Sequence, residues 1–291
     1  MSVFTFKGIS SDYYGLKVKT LQPPQRAENT TEYIYIPGRT QQLVKSREEY
    51  TNTEIVFEVM LSDLSKVREI FAWLKGEGQL IYSDEPDKYY DAISNYLISS
   101  TYISDEIREF QIKFICKPFA YAVNSKTITN AYSDSGTYDL RTKDILFKNN
   151  GTFMCEPVFR AVFGGKLELS VNGCTEKITI DTGQENGTFS SNVYVDFDGE
   201  TNIRKYQPQK MEVFIDSGLR LAYTVERNSS GEIISRTVVN ELTTGQFPLI
   251  PPGTITVKAS LIPKIFQGET HKYAYFNNLY NLDIYARERW L

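Results

Sequence analysis

Histidine is almost missing from this chain. His271 is the only one in 291 residues, and neither a serine or cysteine motif nor an HExxH spacing accompanies it. A histidine-driven nucleophile or a zinc-peptidase site therefore lacks its raw material, and His271 reads as an exposed or hydrogen-bonded side chain. Cysteine is scarce as well. Cys116, Cys155 and Cys174 match no zinc spacing, and an odd number leaves at least one thiol unpaired. Reduced, buried thiols in a protein made in a cytoplasm are expected. No run approaches the roughly 18 apolar residues of a membrane helix, and the opening MSVFTFKGISSDYYG has neither a basic start nor a long apolar core. A soluble protein with no Sec-type export signal and no membrane partner is expected. Lysine and arginine form no block, and the net charge is −4, so the electrostatic footprint of a nucleic-acid binder is absent. Glycine-rich phosphate loops, a dinucleotide fingerprint and a nucleophile elbow are absent too. The sequence therefore assigns no catalytic residue, no cofactor and no metal ligand.

What the chain has in quantity is aromatic side chains. Twenty tyrosines and seventeen phenylalanines, set among threonine, valine and isoleucine, favour strands. The length allows two domains, each with its own core. Between residues 122 and 144 the composition shifts to Asn, Ser, Thr, Gly and Asp, which places the boundary near residue 130. The expected domains are residues 1–130 and 131–291.

In the first domain, Val3, Phe4 and Phe6 before Gly8 read as a strand, and residues 14–19 alternate like a second. Gln22-Pro23-Pro24-Gln25 breaks this opening. Residues 32–36 give another strand, stopped by Pro37-Gly38. A polar arm follows over residues 39–52, with Arg39, Lys45, Arg47, Glu48 and Glu49 and little to bury. It is long for a hairpin loop, which marks an interaction surface or local disorder. Residues 55–60 return as a strand. Leu64, Val67, Ile70, Phe71 and Leu74 then space one apolar stripe along a helix. Ser62 is its expected N-cap, Asp63 sits in the positive first turn, and Gly76 ends it after about 13 residues. A strand over 79–82 and a proline-fixed turn over 83–87 follow. Residues 92–98 and 110–114 are further strands, with Pro118 shortly after.

The second domain is punctuated by Asn150-Gly151, Gly164-Gly165, Asn172-Gly173, Asn186-Gly187, Asp198-Gly199 and Ser230-Gly231. Such pairs suit tight hairpin turns. Short strands at this spacing indicate a β-sandwich, with one helix-like stretch at most.

Two constellations invite chemistry. Asp84, Glu85 and Asp87 resemble a carboxylate pair for acid–base work, but they surround Pro86 in a turn, where acidic residues cap backbone amides. Asp196-Phe197-Asp198-Gly199-Glu200 has the flavour of a calcium loop. Its glycine falls at the fourth place and not the sixth, and a hairpin tip is the better reading. Tyrosine-rich sandwich surfaces also suit saccharide stacking, although the tyrosines equally serve cores and subunit interfaces.

The order of features resembles the distal tail (Dit) proteins of long, non-contractile-tailed phages infecting Gram-positive bacteria. Phe4-Thr5-Phe6-Lys7-Gly8 with Asp12 and Gly15, the Pro37-Gly38-Arg39 turn, and the stretch from Trp73-Leu74 through Gly78, Leu80 and residues 83–90 carry the first part. Residues 114–119, Asn150-Gly151-Thr152 before Glu156-Pro157, residues 178–181, Gly245-Gln246-Phe247-Pro248 with Pro252-Gly253, and Tyr285 to Trp290 carry the rest.

The resemblance implies a mainly β protein: an N-terminal β-sandwich or split-barrel-like domain with one α-helix, and a C-terminal galectin-like β-sandwich. It implies a homohexameric ring at the virion tail tip, made in the host cytoplasm and acting by contacts, not turnover. The ring would be stacked between the major tail or tube protein and the tail-fibre hub protein, with a receptor-binding protein as a further partner in host adsorption. The expected oligomer interface comprises Arg39, Lys45, Arg47, Glu49, Trp73, Asp84, Asp87, Tyr89 and Tyr90. The alternative is a module binding cell-wall saccharide through the C-terminal sandwich. True galectins use a histidine, asparagine and arginine with a nearby tryptophan, a set not reproduced around His271 or Trp290, so galectin-like shape does not bring galectin activity.

Overall fold

The computed structural model describes residues 3–21, 26–104, 107–131, 142–182, 188–194, 203–207, 211–262, 265–267, 272–275 and 278–291. The chain is mainly β, with one α-helix among the described residues. It divides into two compact units, Met1–Asn124 with Arg289–Leu291, and Ser125–Glu288.

The first unit is built on an eight-stranded sheet. Its order is Ile9–Ser10, Phe4–Phe6, Gly76–Tyr82, Lys88–Ser104, Ile107–Ala122, Thr53–Leu61 and Lys17–Leu21, with Arg289–Trp290 pairing beside Ile107–Ala122. Alternation explains the strands. In Thr53–Leu61 every second residue is buried, so Ile55, Phe57, Val59 and Leu61 enter the core and their neighbours face outward. Phe4 stacks on Phe57 at 4.5 Å, and Phe114 meets Phe4, Phe6 and Phe57 edge-on.

The strand expected to stop before Pro118 instead runs through it, as Ile107–Ala122. Proline is tolerated because the ladder is interrupted there: Ala92 pairs Cys116 and Tyr90 pairs Ala120, leaving a bulge between. The other neighbour, Thr53–Leu61, ends its pairing at Cys116. A residue without an N–H therefore falls where neither ladder asks for one.

The helix differs in detail from its sequence signature. Leu64–Lys66 is a 3-10 turn and the α-helix is Val67–Leu74, eight residues. Asp63, not Ser62, is the cap, accepting the Ser65 amide at 3.1 Å. Gly76 has φ of +89° but opens the following strand, because Lys75 has already left the helix in an extended conformation. Gly78 makes room and not a turn: a Cβ there would lie 2.5 Å from the Lys7 side chain. Phe71, placed in the apolar stripe by spacing, is exposed, whereas Ile70, Trp73 and Leu74 carry the packing.

The second unit contains a β-sandwich. One sheet has six strands in the order Lys126–Ala131, Asn278–Ala286, Val158–Gly164, Met211–Asp216, Leu221–Arg227 and Ile233–Val238. The other has five, Thr142–Asn149, Gly253–Leu261, Lys166–Val171, Lys177–Asp181 and Thr243–Gly245. Phe159, Phe163, Val213, Ile215, Leu282 and Ile284 from the first share one core with Leu167, Leu169, Ile178, Ile180 and Val257 from the second. Gly165, Gly173 and Gly231 adopt positive φ at three of the expected turns. His271 and residues 196, 198 and 200 lie outside the described residues.

Candidate interaction surface

The polar arm is not a loop. Leu43–Tyr50 is a strand pairing antiparallel with Asn29–Ile34, and this two-stranded sheet joins no other strand among the described residues. Residues 32–36 read as a strand and overlap Asn29–Ile34, but the second strand does not follow from sequence, because exposed side chains fall on consecutive positions, Leu43, Val44 and Lys45. Its base is fastened by Thr51 donating its amide to the Glu28 carbonyl at 3.0 Å and by Tyr50 meeting Phe119 edge-on at 5.5 Å. Above that base the hairpin shows apolar surface. Tyr33 is 65% exposed, Tyr35 70%, Leu43 44% and Val44 59%. A two-stranded hairpin is marginally stable alone, and exposed strand edges with apolar side chains are templates for another chain. Arg39, Lys45 and Glu49 are exposed on the same arm. The side chain of Arg47 lies outside the described residues.

Residues 83–87 form the expected turn. The Ser83 amide donates to the Val3 carbonyl at 2.9 Å, and the Val123 amide to the Asp87 carbonyl at 2.8 Å. Glu85 is its hub. Its carboxylate accepts from the Tyr82 hydroxyl, from Lys88 Nζ at 2.6 Å and from the Tyr90 hydroxyl at 3.5 Å. Partial burial alone would raise the Glu85 pKa, but the bonds from Lys88 and Tyr82 outweigh it and hold the group below its ordinary value. Burial, then the Glu85 charge, pushes the Tyr90 phenol up to about 12. Burial, then the bond to Glu85, raises Tyr82 as well. Lys88 also lies 4.9 Å above the Trp290 ring, so the turn grips the C-terminal strand. A carboxylate so fully engaged serves structure, which removes Glu85 from any acid–base pair.

The nine expected interface residues therefore separate. Asp84 and Asp87 are exposed at the turn. Trp73, Tyr89 and Tyr90 are not surface groups: each is less than a tenth exposed. Trp73 donates its indole N–H to the Phe6 carbonyl and packs between Phe4 and Tyr14, Tyr89 stacks on Tyr121, and Tyr90 on Tyr82. Their aromatic area closes the core of their own chain, so of the nine expected residues the outward ones with described side chains are Arg39, Lys45 and Glu49 on the hairpin and Asp84 and Asp87 at the turn.

With that geometry in place, the chain can be compared with known proteins. The crystal structure of the SPP1 Dit protein, described as a paradigm of the hub adsorption apparatus in phages infecting Gram-positive bacteria, matches with a TM-score of 0.63 over 100% of both chains at 12% identity. This chain has the Dit fold. The phage P2 baseplate in its activated conformation, with calcium and with strontium, aligns over 99% of this chain and 98% of the other at a TM-score of 0.40 and 10% identity. No protein-family model and no curated protein matches the sequence. The Dit fold is thus kept here by core pattern and topology at an identity where sequence similarity has faded.

Proposed function

We propose that the chain is a structural subunit of a phage tail tip, working by contacts and not by turnover. The observation that carries this is the Dit fold over the full length of both chains. In this reading six copies form a ring through the N-terminal unit, seated between the tail tube protein and the tail-fibre hub, with the C-terminal sandwich available to a receptor-binding protein. The exposed hairpin supports it: Tyr33 and its cross-strand partner Val44 show apolar area on one face, with Tyr35 and Leu43 exposed beside them, area that a neighbouring subunit would bury. In this reading the charged groups that set register are Arg39, Lys45 and Glu49 on the hairpin and Asp84 and Asp87 at the turn, an effect that salt should weaken.

The test is the assembly state of the purified full chain, by light scattering behind a sizing column and by negative-stain imaging. Rings of six are expected. Monomers at every concentration, with tube and hub proteins present, would overturn the reading.

A further inference from the structure

Among the described residues, two Asn-Gly pairs lie in turns of the second unit, and the fold holds them in opposite ways. Asn150-Gly151 follows the strand Thr142–Asn149. The backbone and side-chain nitrogens of Asn150 both donate to Glu288 Oε1, at 2.8 and 2.9 Å. The Gly151 N–H donates to Asn149 Oδ1 at 2.9 Å, and Gly151 is buried. Asn149 is anchored in turn, with its side-chain amide on the Phe153 and Ile250 carbonyls at 3.1 and 3.0 Å.

Asn172-Gly173 lies between the strands Lys166–Val171 and Lys177–Asp181, and both residues are exposed. The Cys174 amide donates to the Val171 carbonyl at 3.1 Å and closes the turn, and the Asn172 backbone N–H donates to the Thr256 carbonyl at 2.9 Å. Neither the Asn172 side-chain amide nor the Gly173 N–H has a hydrogen-bond partner among the described residues. Gly173 sits at φ of +82°, and the nearest atom to a Cβ built on it is Pro251 Cγ at 3.8 Å, so its nitrogen stands in the open.

An asparagine followed by glycine reacts with its own backbone when the geometry lets it. The glycine nitrogen gives up its proton to solvent and attacks the side-chain carbonyl carbon. A C–N bond forms, the bond to the side-chain nitrogen breaks, and ammonia leaves. Water then opens the resulting succinimide at one carbonyl or the other, giving aspartate or isoaspartate. The attacking nitrogen must be free of an acceptor, the side chain free to turn, and the backbone able to swing the two together. Asn150 is denied the first two by Asn149 and Glu288. Asn172 has both, and an exposed tip closed by one turn bond opens locally at low free energy. We propose that Asn172 is a site of spontaneous modification, converted through a succinimide with Gly173 to aspartate and isoaspartate, and that the fold protects Asn150. The product puts a new carboxylate on the turn, and isoaspartate adds one methylene to the main chain between two strands of the five-stranded sheet. No partner and no ring is required.

The experiment ages the full chain at neutral and mildly alkaline pH, digests it with trypsin and maps it by mass spectrometry, using fragmentation that separates aspartate from isoaspartate. Cleavage after lysine and arginine places the two pairs in different peptides, residues 149–160 and 167–177. The acid form of Asn172, with isoaspartate in it, should accumulate at least about tenfold faster than that of Asn150, and faster at the higher pH because the attacking nitrogen must lose its proton. Asn172→Gln, which would have to close a six-membered ring, should leave its peptide unchanged. The same two peptides, released first and aged afterwards, should react at similar rates. Equal rates in the folded chain, a faster Asn150, or aspartate at position 172 without isoaspartate would overturn the proposal. So would a difference that persisted undiminished in the isolated peptides, since neighbouring residues and not the fold would then be its cause.

Discussion

Trp73 donates its indole N–H to the carbonyl oxygen of Phe6 at 2.9 Å, across 67 positions of chain. That bond joins the helix to the second residue of the opening strand's Phe-Thr-Phe core pair, and Phe4 and Tyr14 pack on the same ring at 5.7 and 4.9 Å. Trp73→Phe keeps much of the ring but leaves the buried Phe6 carbonyl without this donor. A loss of about 1–3 kcal/mol is expected, read as a lower urea midpoint for the N-terminal unit with its slope unchanged.

Glu85 should make that unit acid-sensitive in a defined direction. Its folded pKa is held below the ordinary value by Lys88 and Tyr82 against the opposing effect of burial. The stability it contributes is therefore present above the unfolded carboxylate pKa of about 4.3 and is lost as pH falls through the lower folded value. Glu85→Gln should unfold earlier than the parent at neutral pH and converge with it in strong acid. Urea titrations at neutral and acid pH give the comparison; a difference that grew with acidity would be the wrong sign.

Hairpin substitutions should separate folding from assembly. Val44 is well exposed, so Val44→Asp should change subunit stability by less than about 0.5 kcal/mol. Under the proposed function it should abolish rings, by placing a charge in the surface a neighbour covers. Unaltered rings by light scattering would remove the hairpin from the interface.

The C-terminus belongs energetically to the first unit. Arg289 and Trp290 pair with Tyr121 and Ala120, Lys88 lies over Trp290, and Arg289 sits 5.0 Å from the Phe119 ring. A chain ending at Glu288 should lose about 2 kcal/mol from that unit, from two ladder bonds and the cation–π contacts. Faster amide exchange around residues 120–122 is the expected signature.

Arg160 holds two carboxylates, one of them on the buried Asp283. Arg160→Met strands that charge and should cost about 3–5 kcal/mol. Thermal unfolding of the C-terminal unit reads this directly, and restoring stability with Asp283→Asn in the same chain would show that the unpaired charge is the cause.

Much of the fold could be read from residue order alone. The alternation over 55–60 and 110–114 marks strands because one face of each is buried, and the Asn-Gly and Ser-Gly punctuation marks sandwich turns because few other residues accept positive φ. The helix was visible from its stripe, although its length and cap were not, since eight residues carry too few positions to fix an end. The hairpin's second strand, Leu43–Tyr50, was illegible for a physical reason: a strand exposed on both sides imposes no period on its residues. Trp73, Tyr89 and Tyr90 were misplaced because an aromatic side chain offers the same signal whether it fills a core or faces a neighbour.

The sequence by itself determined the mainly β class, the scarcity of histidine and cysteine chemistry, and the order of strands, helix and acidic turn, because these depend on composition and on local periods. Only the tertiary structure decided which carboxylate the turn engages, which aromatics reach the surface, and that Asp283 meets Arg160 across 123 positions. Those pairings are set by strand register, and register arises when distant segments bury their apolar faces together.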